Sequence, residues 1–130
     1  MSINLNVAVQ QALGEMSYLV NKKQASIIRN HLPSLDLELK QAKRIFRLLL
    51  HNVISNCPGG STPKIEISSM RDLNDAKWII EIQSNVTRLD EQMLNEATSE
   101  INKVGGLLYN RPKHTGSTLL FTLPYKKTTL

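Results

Sequence analysis

Apolar residues recur at steps of three and four along residues 37–60, which is the spacing of a helix with one buried face. Asp36 is predicted to be the N-cap of this helix. The segment Pro58-Gly59-Gly60 is predicted to end it, because proline lacks an amide donor and glycine accepts left-handed backbone angles. The predicted buried positions are Ala42, Ile45, Phe46, Leu49, Val53 and Ile54.

The other hydrophobic patterns divide into alternating segments, typical of strands, and segments with helical spacing. Asn6 is predicted to cap the first helix, and Thr87-x-x-Asp90 resembles a capping box before the last one. Residues 64–70 and 77–83 are predicted to pair antiparallel. The predicted strands are residues 2–7, 24–33, 64–70, 77–83, 107–109 and 117–125, and the predicted flanking helices are residues 7–20 and 89–104.

The resulting order, β-α-β-α-β-β-α-β-β, predicts an α/β two-layer sandwich. A mixed, mainly antiparallel sheet is expected to be covered on one face by three helices, with its other face open. The 130 residues suffice for one domain, predicted to span residues 1–125. Residues 126–130 are predicted to form a flexible tail.

The composition, 41% hydrophobic and 21% charged, is typical of a globular domain rather than a disordered chain. The sequence has no apolar run of about eighteen residues and no basic segment followed by an apolar core at its start. Neither a membrane span nor a signal peptide is therefore predicted, and a cytoplasmic location is expected. The single cysteine, Cys57, excludes an internal disulfide and a cysteine metal cluster and is predicted to be a small core residue.

The formal net charge of +5 raises the question of a nucleic-acid partner. The sixteen Lys and Arg residues are spread along the chain, and one Trp, three Tyr and two Phe supply few rings for stacking on bases. A solvated basic surface is therefore favoured over nucleic-acid binding. The helix face that carries Lys40, Lys43, Arg44 and Arg47 is nevertheless a candidate basic patch.

Asn52 and Asn56 stand four residues apart on the central helix, so their amides project from nearly the same side. The segment Leu-Leu-x-Asn-Val-Ile-x-Asn-Cys resembles the N box of the ATP-binding domain of sensor histidine kinases and their relatives, the GHKL superfamily. In that family the second Asn holds the magnesium ion that bridges the ATP phosphates. The resemblance assigns this position to Asn56.

Four further segments resemble the same domain in the correct order, so the resemblance covers essentially the whole chain. It implies the Bergerat-type fold of histidine-kinase ATP-binding domains. The matching segments are residues 4–13 (the entry strand and helix), Leu32-Pro33 with Asp36, Gly105-Gly106, and the closing hairpin at residues 116–124.

The nucleotide-binding boxes depart from the family pattern. In the G1 box, Asp-x-Gly-x-Gly, the Asp reads the adenine amino group and the glycines allow close approach of the backbone. The aligned sequence here is Ser-Asn-Val-Thr-Arg at residues 84–88, and only Asn85 is common at its position. Between Glu91 and Gly105 there are too few residues for the ATP lid, and no Gly-rich G2 box is present, so neither ATP nor another cofactor is expected. The vestigial pocket is expected to consist of Asn52, Asn56, Ser84 and Asn85.

No catalytic residue is predicted. Gyrase-type relatives place a Glu four residues before the second Asn to activate water, and that position is Asn52, whose amide is not a base. The phospho-accepting hairpin that precedes this domain in sensor kinases is also expected to be missing. His31, His51 and His114 lie on three separate elements without metal-ligand spacing, so no metal is expected, and His51 is kept as the one candidate for chemistry.

These features favour a pseudo-enzyme, a histidine-kinase-like domain without nucleotide that acts as a protein-interaction or regulatory module in bacterial two-component-type signalling. The expected partner is a sensor kinase, a response regulator or a second copy in a homodimer. One alternative is an active phosphotransfer protein, either a histidine phosphotransferase using His51 or an anti-sigma-type kinase. The other is a small basic nucleic-acid-binding protein.

A shortened lid is expected to leave the side of the old nucleotide pocket uncovered. Val86 and Arg88 are therefore predicted to lie at or beside the interaction surface, since exposed apolar surface often marks a contact site. The planar guanidinium of Arg88 suits an acidic partner. The competing interpretation is that Val86 fills the old pocket and Arg88 is a solvated residue near a helix start.

Overall fold

The computed structural model describes residues 2–124, which form a five-stranded sheet, a two-stranded sheet and four helices. Tyr125, the end of the predicted last strand, and the predicted tail at residues 126–130 lie outside the described residues. The limits of the domain stay a prediction. The elements are β1 (Ile3–Asn4), α1 (Leu5–Glu15), α2 (Ser17–Lys23), β2 (Ser26–Arg29), β3 (Ser34–Leu35), α3 (Leu39–Ser55), β4 (Lys64–Asp72), β5 (Lys77–Ser84), α4 (Glu91–Lys103), β6 (Leu108–Lys113) and β7 (Gly116–Pro124).

The five-stranded sheet has the order β2-β4-β5-β7-β6. β2 pairs parallel to β4, and the other three pairs are antiparallel, which confirms the predicted mixed, mainly antiparallel sheet. The predicted pairing of residues 64–70 with 77–83 is also confirmed, since Ile67 lies opposite Ile82. The short strands β1 and β3 form the separate two-stranded sheet.

One face of the five-stranded sheet is buried under the helices. Alternate side chains of β4, β5 and β7 enter one core together with the apolar stripes of α1, α3 and α4. At its centre the rings of Phe46 and Phe121 pack edge to face, with centroids 5.6 Å apart. On the opposite face Met70 and Tyr109 are exposed. The predicted two-layer sandwich is confirmed.

The predicted strand at residues 2–7 is wrong, because β1 has only two residues and α1 begins at Leu5. The N-cap is Asn4 rather than Asn6. The Asn4 side-chain oxygen accepts a hydrogen bond from the Asn6 backbone N–H at 2.9 Å. This cap begins α1 at Leu5, so the strand ends at Asn4. The short alternation of apolar and polar residues fits a helix start as well as a strand.

The predicted single helix at residues 7–20 is instead two helices that meet at Met16. The Met16 N–H donates to the Leu13 carbonyl at 3.1 Å, a tighter turn than the α-helical pattern. The Met16 side chain is buried in the core. Helical spacing continues past Met16, so the periodicity alone did not reveal the break.

The central helix α3 begins later than predicted. Glu38, not Asp36, is its N-cap, and the Glu38 side chain makes no capping hydrogen bond. The backbone of Glu38 is still extended, with φ −76° and ψ 137°, so the helix begins at Leu39. Asn56 is the C-cap, directly before the predicted stop at Pro58-Gly59-Gly60.

Within residues 2–124, no helix is long and apolar enough to cross a membrane.

Replacing Gly106 by Ala is expected to lower the free energy of unfolding by about 1–3 kcal/mol, as overpacking does. A Cβ at this position would overlap the Thr122 carbonyl oxygen and lie 2.9 Å from Ile101 Cγ2. Urea denaturation followed by circular dichroism measures the change. The matched control is Gly14→Ala in α1, where an added Cβ meets no atom within 4 Å. The control is expected to be neutral or stabilising by about 0.5–1 kcal/mol, and equal stability of the two variants would contradict the close packing at Gly106.

Candidate functional site

The two asparagines of the N-box-like segment lie at the carboxyl end of α3. Asn52 belongs to the buried stripe of the helix and is fully inaccessible to solvent, whereas Asn56 is exposed at the C-cap. Since α3 packs against both α1 and α4, its last two turns place the amides at the α3–α4 contact. The predicted proximity of Asn52 and Asn56 is therefore observed.

The Asn52 amide binds the backbone of Asp90 at both of its ends. Its nitrogen donates to the Asp90 carbonyl at 2.9 Å, and its oxygen accepts the Asp90 N–H at 2.7 Å. Asp90 is also the N-cap of α4, and its carboxylate accepts the Met93 N–H at 3.0 Å. The Asn52 side chain thus fixes the N-cap residue of α4 against α3. We call this pair of hydrogen bonds the Asn52–Asp90 latch.

The Asn56 amide is turned back toward the latch. Its nitrogen donates to the Asn52 carbonyl at 2.7 Å and to the Asn52 side-chain oxygen at 2.8 Å. The Asn52 side-chain oxygen therefore accepts two hydrogen bonds, one from Asn56 and one from Asp90. Both of its lone pairs are in use inside the protein.

Ser84 and Asn85 connect the end of β5 to its neighbours. The Ser84 hydroxyl accepts the Val86 N–H at 3.2 Å and lies 3.4 Å from the Ser117 hydroxyl. The Asn85 oxygen accepts the Lys64 N–H at 2.8 Å. Among the described residues, no hydrogen bond joins Ser84 or Asn85 to the Asn52–Asn56 pair. Asn52 and Asn56 are thus hydrogen-bonded to each other, whereas Ser84 and Asn85 bond to other residues, and a vestigial pocket shared by all four stays a prediction.

The segment between β5 and α4 consists of residues 85–90 only. Val86 is fully buried in the core, and its carbonyl accepts the Ser117 hydroxyl at 2.8 Å. The Val86 side chain itself therefore offers no surface to a partner, and its predicted position at or beside an interaction surface stays a prediction. Arg88 is exposed, so its predicted role at an interaction surface stays a prediction.

The histidines do not come together. His31 and His114 are exposed, whereas His51 is half-buried on α3. The Nδ1 atom of His51 is enclosed and has no hydrogen-bond partner among residues 2–124. In the same part of the chain, no group of three or more His, Cys, Asp or Glu side chains is arranged to hold a metal ion. Cys57 is buried in the core, in agreement with its prediction.

A groove of about 490 Å³ lies beside this site, between α1, α3 and α4. Its floor contains the predicted basic face of α3, but its carboxylates come from the other helices. The cations were predicted from the sequence, whereas Glu15, at the end of α1, and Glu96, on α4, were not. Both are solvent-side residues of amphipathic helices, and only the packing of the helices brings them to α3.

Two carboxylates tie the neighbouring helices to α3. Glu15 binds Lys43 at 2.7 Å and Arg47 at 3.1 Å, and the Lys43 hydrogen bond is the main cause of the lowered pKa of the Glu15 carboxyl. The Arg44 hydrogen bond likewise lowers the pKa of Glu100. At a pH above the ordinary carboxyl pKa, these pairs stabilise the folded state. This stabilisation is lost as the pH falls through the lowered pKa of each carboxyl. Because the arginine side chains of these pairs are 56–58% exposed to solvent, the contribution of the pairs is small.

No protein-family model and no curated protein matches this sequence. The fold does match solved structures. The catalytic domain of the histidine kinase ThkA superposes with a TM-score of 0.80 and 16% identity over 98% of both chains. The mycobacterial sensor histidine kinase MprB gives a TM-score of 0.72 and 11% identity, over 98% of this chain and 100% of that one.

The histidine kinase AdeS of Acinetobacter baumannii is similar with a TM-score of 0.79 and 12% identity. The match covers 96% of this chain and 66% of that structure, so this chain spans slightly less than two thirds of the AdeS structure. The sequence resemblance and the superpositions agree on the same architecture. The chain has the histidine-kinase-like fold of the catalytic, ATP-binding domain.

Proposed function

We propose that this chain is a histidine-kinase-like domain that works without nucleotide, as a protein-interaction or regulatory module in two-component-type signalling. The observation that carries the proposal is the Asn52–Asp90 latch. The side chains that the resemblance places around magnesium and ATP form internal hydrogen bonds instead, and the latch holds α4 directly against α3.

The residues present do not fit a bound nucleotide. The family's adenine-reading Asp is replaced by Ser84, whose hydroxyl accepts the Val86 N–H. The first glycine of the G1 box is replaced by Val86, whose side chain fills the core. The six-residue connection at 85–90 is too short to cover phosphates, and no glycine-rich loop precedes α4. Adenine recognition and the phosphate cradle are both lost.

An interaction role is supported by what remains on this side of the molecule. The short 85–90 connection leaves Arg88 exposed beside the start of α4. Arginine is enriched at binding hot spots, and its planar fork pairs well with carboxylates. We propose that the partner is a two-component protein, either a sensor kinase or a response regulator, or a second copy of this chain.

Titration calorimetry with magnesium and ATP is expected to give no measurable binding at millimolar nucleotide. The reason is the joint loss of the adenine-reading carboxylate, the close-approach glycines and the lid. An active histidine-kinase catalytic domain is the positive control. A dissociation constant in the micromolar range for this chain would contradict the proposal.

Replacement of Asn52 by Ala is expected to lower the free energy of unfolding by about 2–3 kcal/mol, because the Asp90 N–H and carbonyl both lose their partner. The matched variant Asn56→Ala removes hydrogen bonds made by an exposed side chain and is expected to cost about 1 kcal/mol. Urea denaturation of both variants measures the difference. If Asn56→Ala instead abolished partner binding or a phosphotransfer activity at unchanged stability, the N box would be functional.

The change Arg88→Glu is expected to weaken capture of a two-component partner, or self-association measured by light scattering, at least about tenfold. Its melting temperature should stay close to that of the parent, because Arg88 is exposed. Arg71→Glu is the matched control, since Arg71 is an exposed arginine on β4, away from this surface. Unchanged binding by Arg88→Glu would move the interaction surface elsewhere on the domain.

A further inference from the structure

The groove along α3 has a floor of regularly spaced cations. The cations Lys40, Arg44 and Arg47 recur at steps of three and four, and His51 continues the same spacing, so these side chains form one continuous row along the helix. Lys43 adds a fifth nitrogen-bearing side chain toward α1. We call this surface the basic groove. At about 1.5 Å per residue the row is about 16 Å long, or three helical turns.

The arginines of the basic groove are held in place but keep free donors. Arg47 donates from Nη1 to Glu15, and Arg44 donates from Nε to Glu100. Each guanidinium carries five N–H groups in a rigid fork, so one hydrogen bond to a carboxylate leaves the others available. The two side chains are 58% and 56% exposed. The forks are therefore positioned in advance for additional carboxylates.

The cations in the groove outnumber the carboxylates that hold them. Glu15 is shared by Lys43 and Arg47, and Glu100 is shared by Arg44 and Lys103. Lys40 has no ion-pair partner within residues 2–124. The basic groove thus keeps an excess of positive charge after its internal pairs are counted, and this excess favours an anionic occupant.

The groove also offers apolar surface. Leu48 on α3 and Met93 on α4 line it and are only half-buried. An occupant with both carboxylates and apolar side chains would complement the cations and this apolar surface.

We propose that the basic groove binds an acidic amphipathic helix of a partner protein. The inference rests on the proposed interaction role and adds the chemistry of the partner. A helix lying along α3 places carboxylates at i, i+3, i+4 and i+7 opposite the row from Lys40 to His51, with Leu or Met residues against Leu48 and Met93. This is helix-in-groove recognition with charge complementarity.

Nucleic acid suits the basic groove less well. The carboxylates of Glu15 and Glu96 line it and would repel a phosphate backbone. The only ring among the lining side chains is the imidazole of His51, so the groove has no Tyr, Phe or Trp on which bases could stack. A peptide helix can place uncharged polar residues opposite these carboxylates and its acidic residues over the cations.

The test uses the whole chain and a fluorescently labelled synthetic helix of about sixteen residues, with Glu on one face and Leu on the adjoining face. Fluorescence anisotropy at physiological salt is expected to give saturable binding to the parent protein. The double variant Lys40→Glu with Arg44→Glu is expected to weaken binding at least about tenfold, because it reverses two charges in the row.

The matched control is Lys64→Glu with Lys113→Glu, at two exposed lysines on β4 and β6. Each double variant changes the formal net charge from +5 to +1. The control is expected to bind the peptide within about twofold of the parent. Equal weakening by both variants would mean that the peptide responds only to net charge, and the proposed site would be wrong.

A third variant tests the opposite direction. Glu15→Gln releases Lys43 and Arg47 from their internal carboxylate and is expected to tighten peptide binding about two- to fivefold, since the exposed pairs compete weakly. Circular dichroism and thermal melts confirm that each variant is folded. Weaker binding by Glu15→Gln would contradict the inference. It would mean that releasing Lys43 and Arg47 from Glu15 does not make them available to the peptide.

Two further outcomes would overturn the inference. One is that the parent protein fails to bind the acidic helix. The other is that a single-stranded oligonucleotide binds more tightly than the helix and loses affinity in the Lys40 and Arg44 double variant. Neither outcome bears on the proposed absence of nucleotide binding, which the calorimetric titration decides separately. Failure of the groove and failure of the proposed function are therefore distinguishable.

Discussion

The arrangement of this domain depends on one buried amide. Asn52 satisfies both backbone groups of Asp90, and it is held in that orientation by its position on the core face of α3. A buried amide of this kind is stable only when its donor and acceptor are both paired, so the contact has one geometry. Because Asp90 caps α4, the same amide determines where α4 begins and how closely it approaches α3.

In our proposal, the latch explains how the kinase-like fold persists without a nucleotide pocket. The sheet, the core and the three packed helices superpose on histidine-kinase catalytic domains, and they depend on apolar burial that does not involve a nucleotide. The polar groups near the α3–α4 contact are hydrogen-bonded to one another. In our proposal, these internal hydrogen bonds replace the interactions that a bound nucleotide would make, and α3 and α4 are in direct contact.

The sequence allowed the architecture to be predicted because its strands and helices are amphipathic with clear periods. The helix boundaries near Asn4, Met16 and Glu38 could not be predicted as well. The first two depend on a single local hydrogen bond and the third on an extended backbone conformation, and periodicity encodes neither. The N-box segment pointed to Asn52 and Asn56, but it did not reveal Asp90 as the partner of Asn52. Asp90 lies 38 residues away and contributes backbone atoms, whose contacts leave no signal in residue type.

The basic groove on the protein surface could also be predicted only in part from the sequence. Its cations follow each other on α3 and are visible as a pattern, whereas Glu15 arrives from α1 through tertiary packing. The ion pairs reduce the positive field without cancelling it, and they orient the arginines. The closed helix contact and the open basic groove lie side by side on α3 and α4, which makes this helix layer the functional side of the domain in our account.

The central claim, that the asparagine pair is an internal latch and not a nucleotide site, is tested most directly by NMR. Hydrogen exchange of the Asp90 amide and the side-chain amide signals of Asn52 and Asn56 would be followed with and without magnesium and ATP. We expect a protected Asp90 amide and unchanged side-chain signals at millimolar nucleotide. A freely exchanging Asp90 amide, or saturable shifts of the Asn56 signals upon addition of magnesium and ATP, would contradict the account.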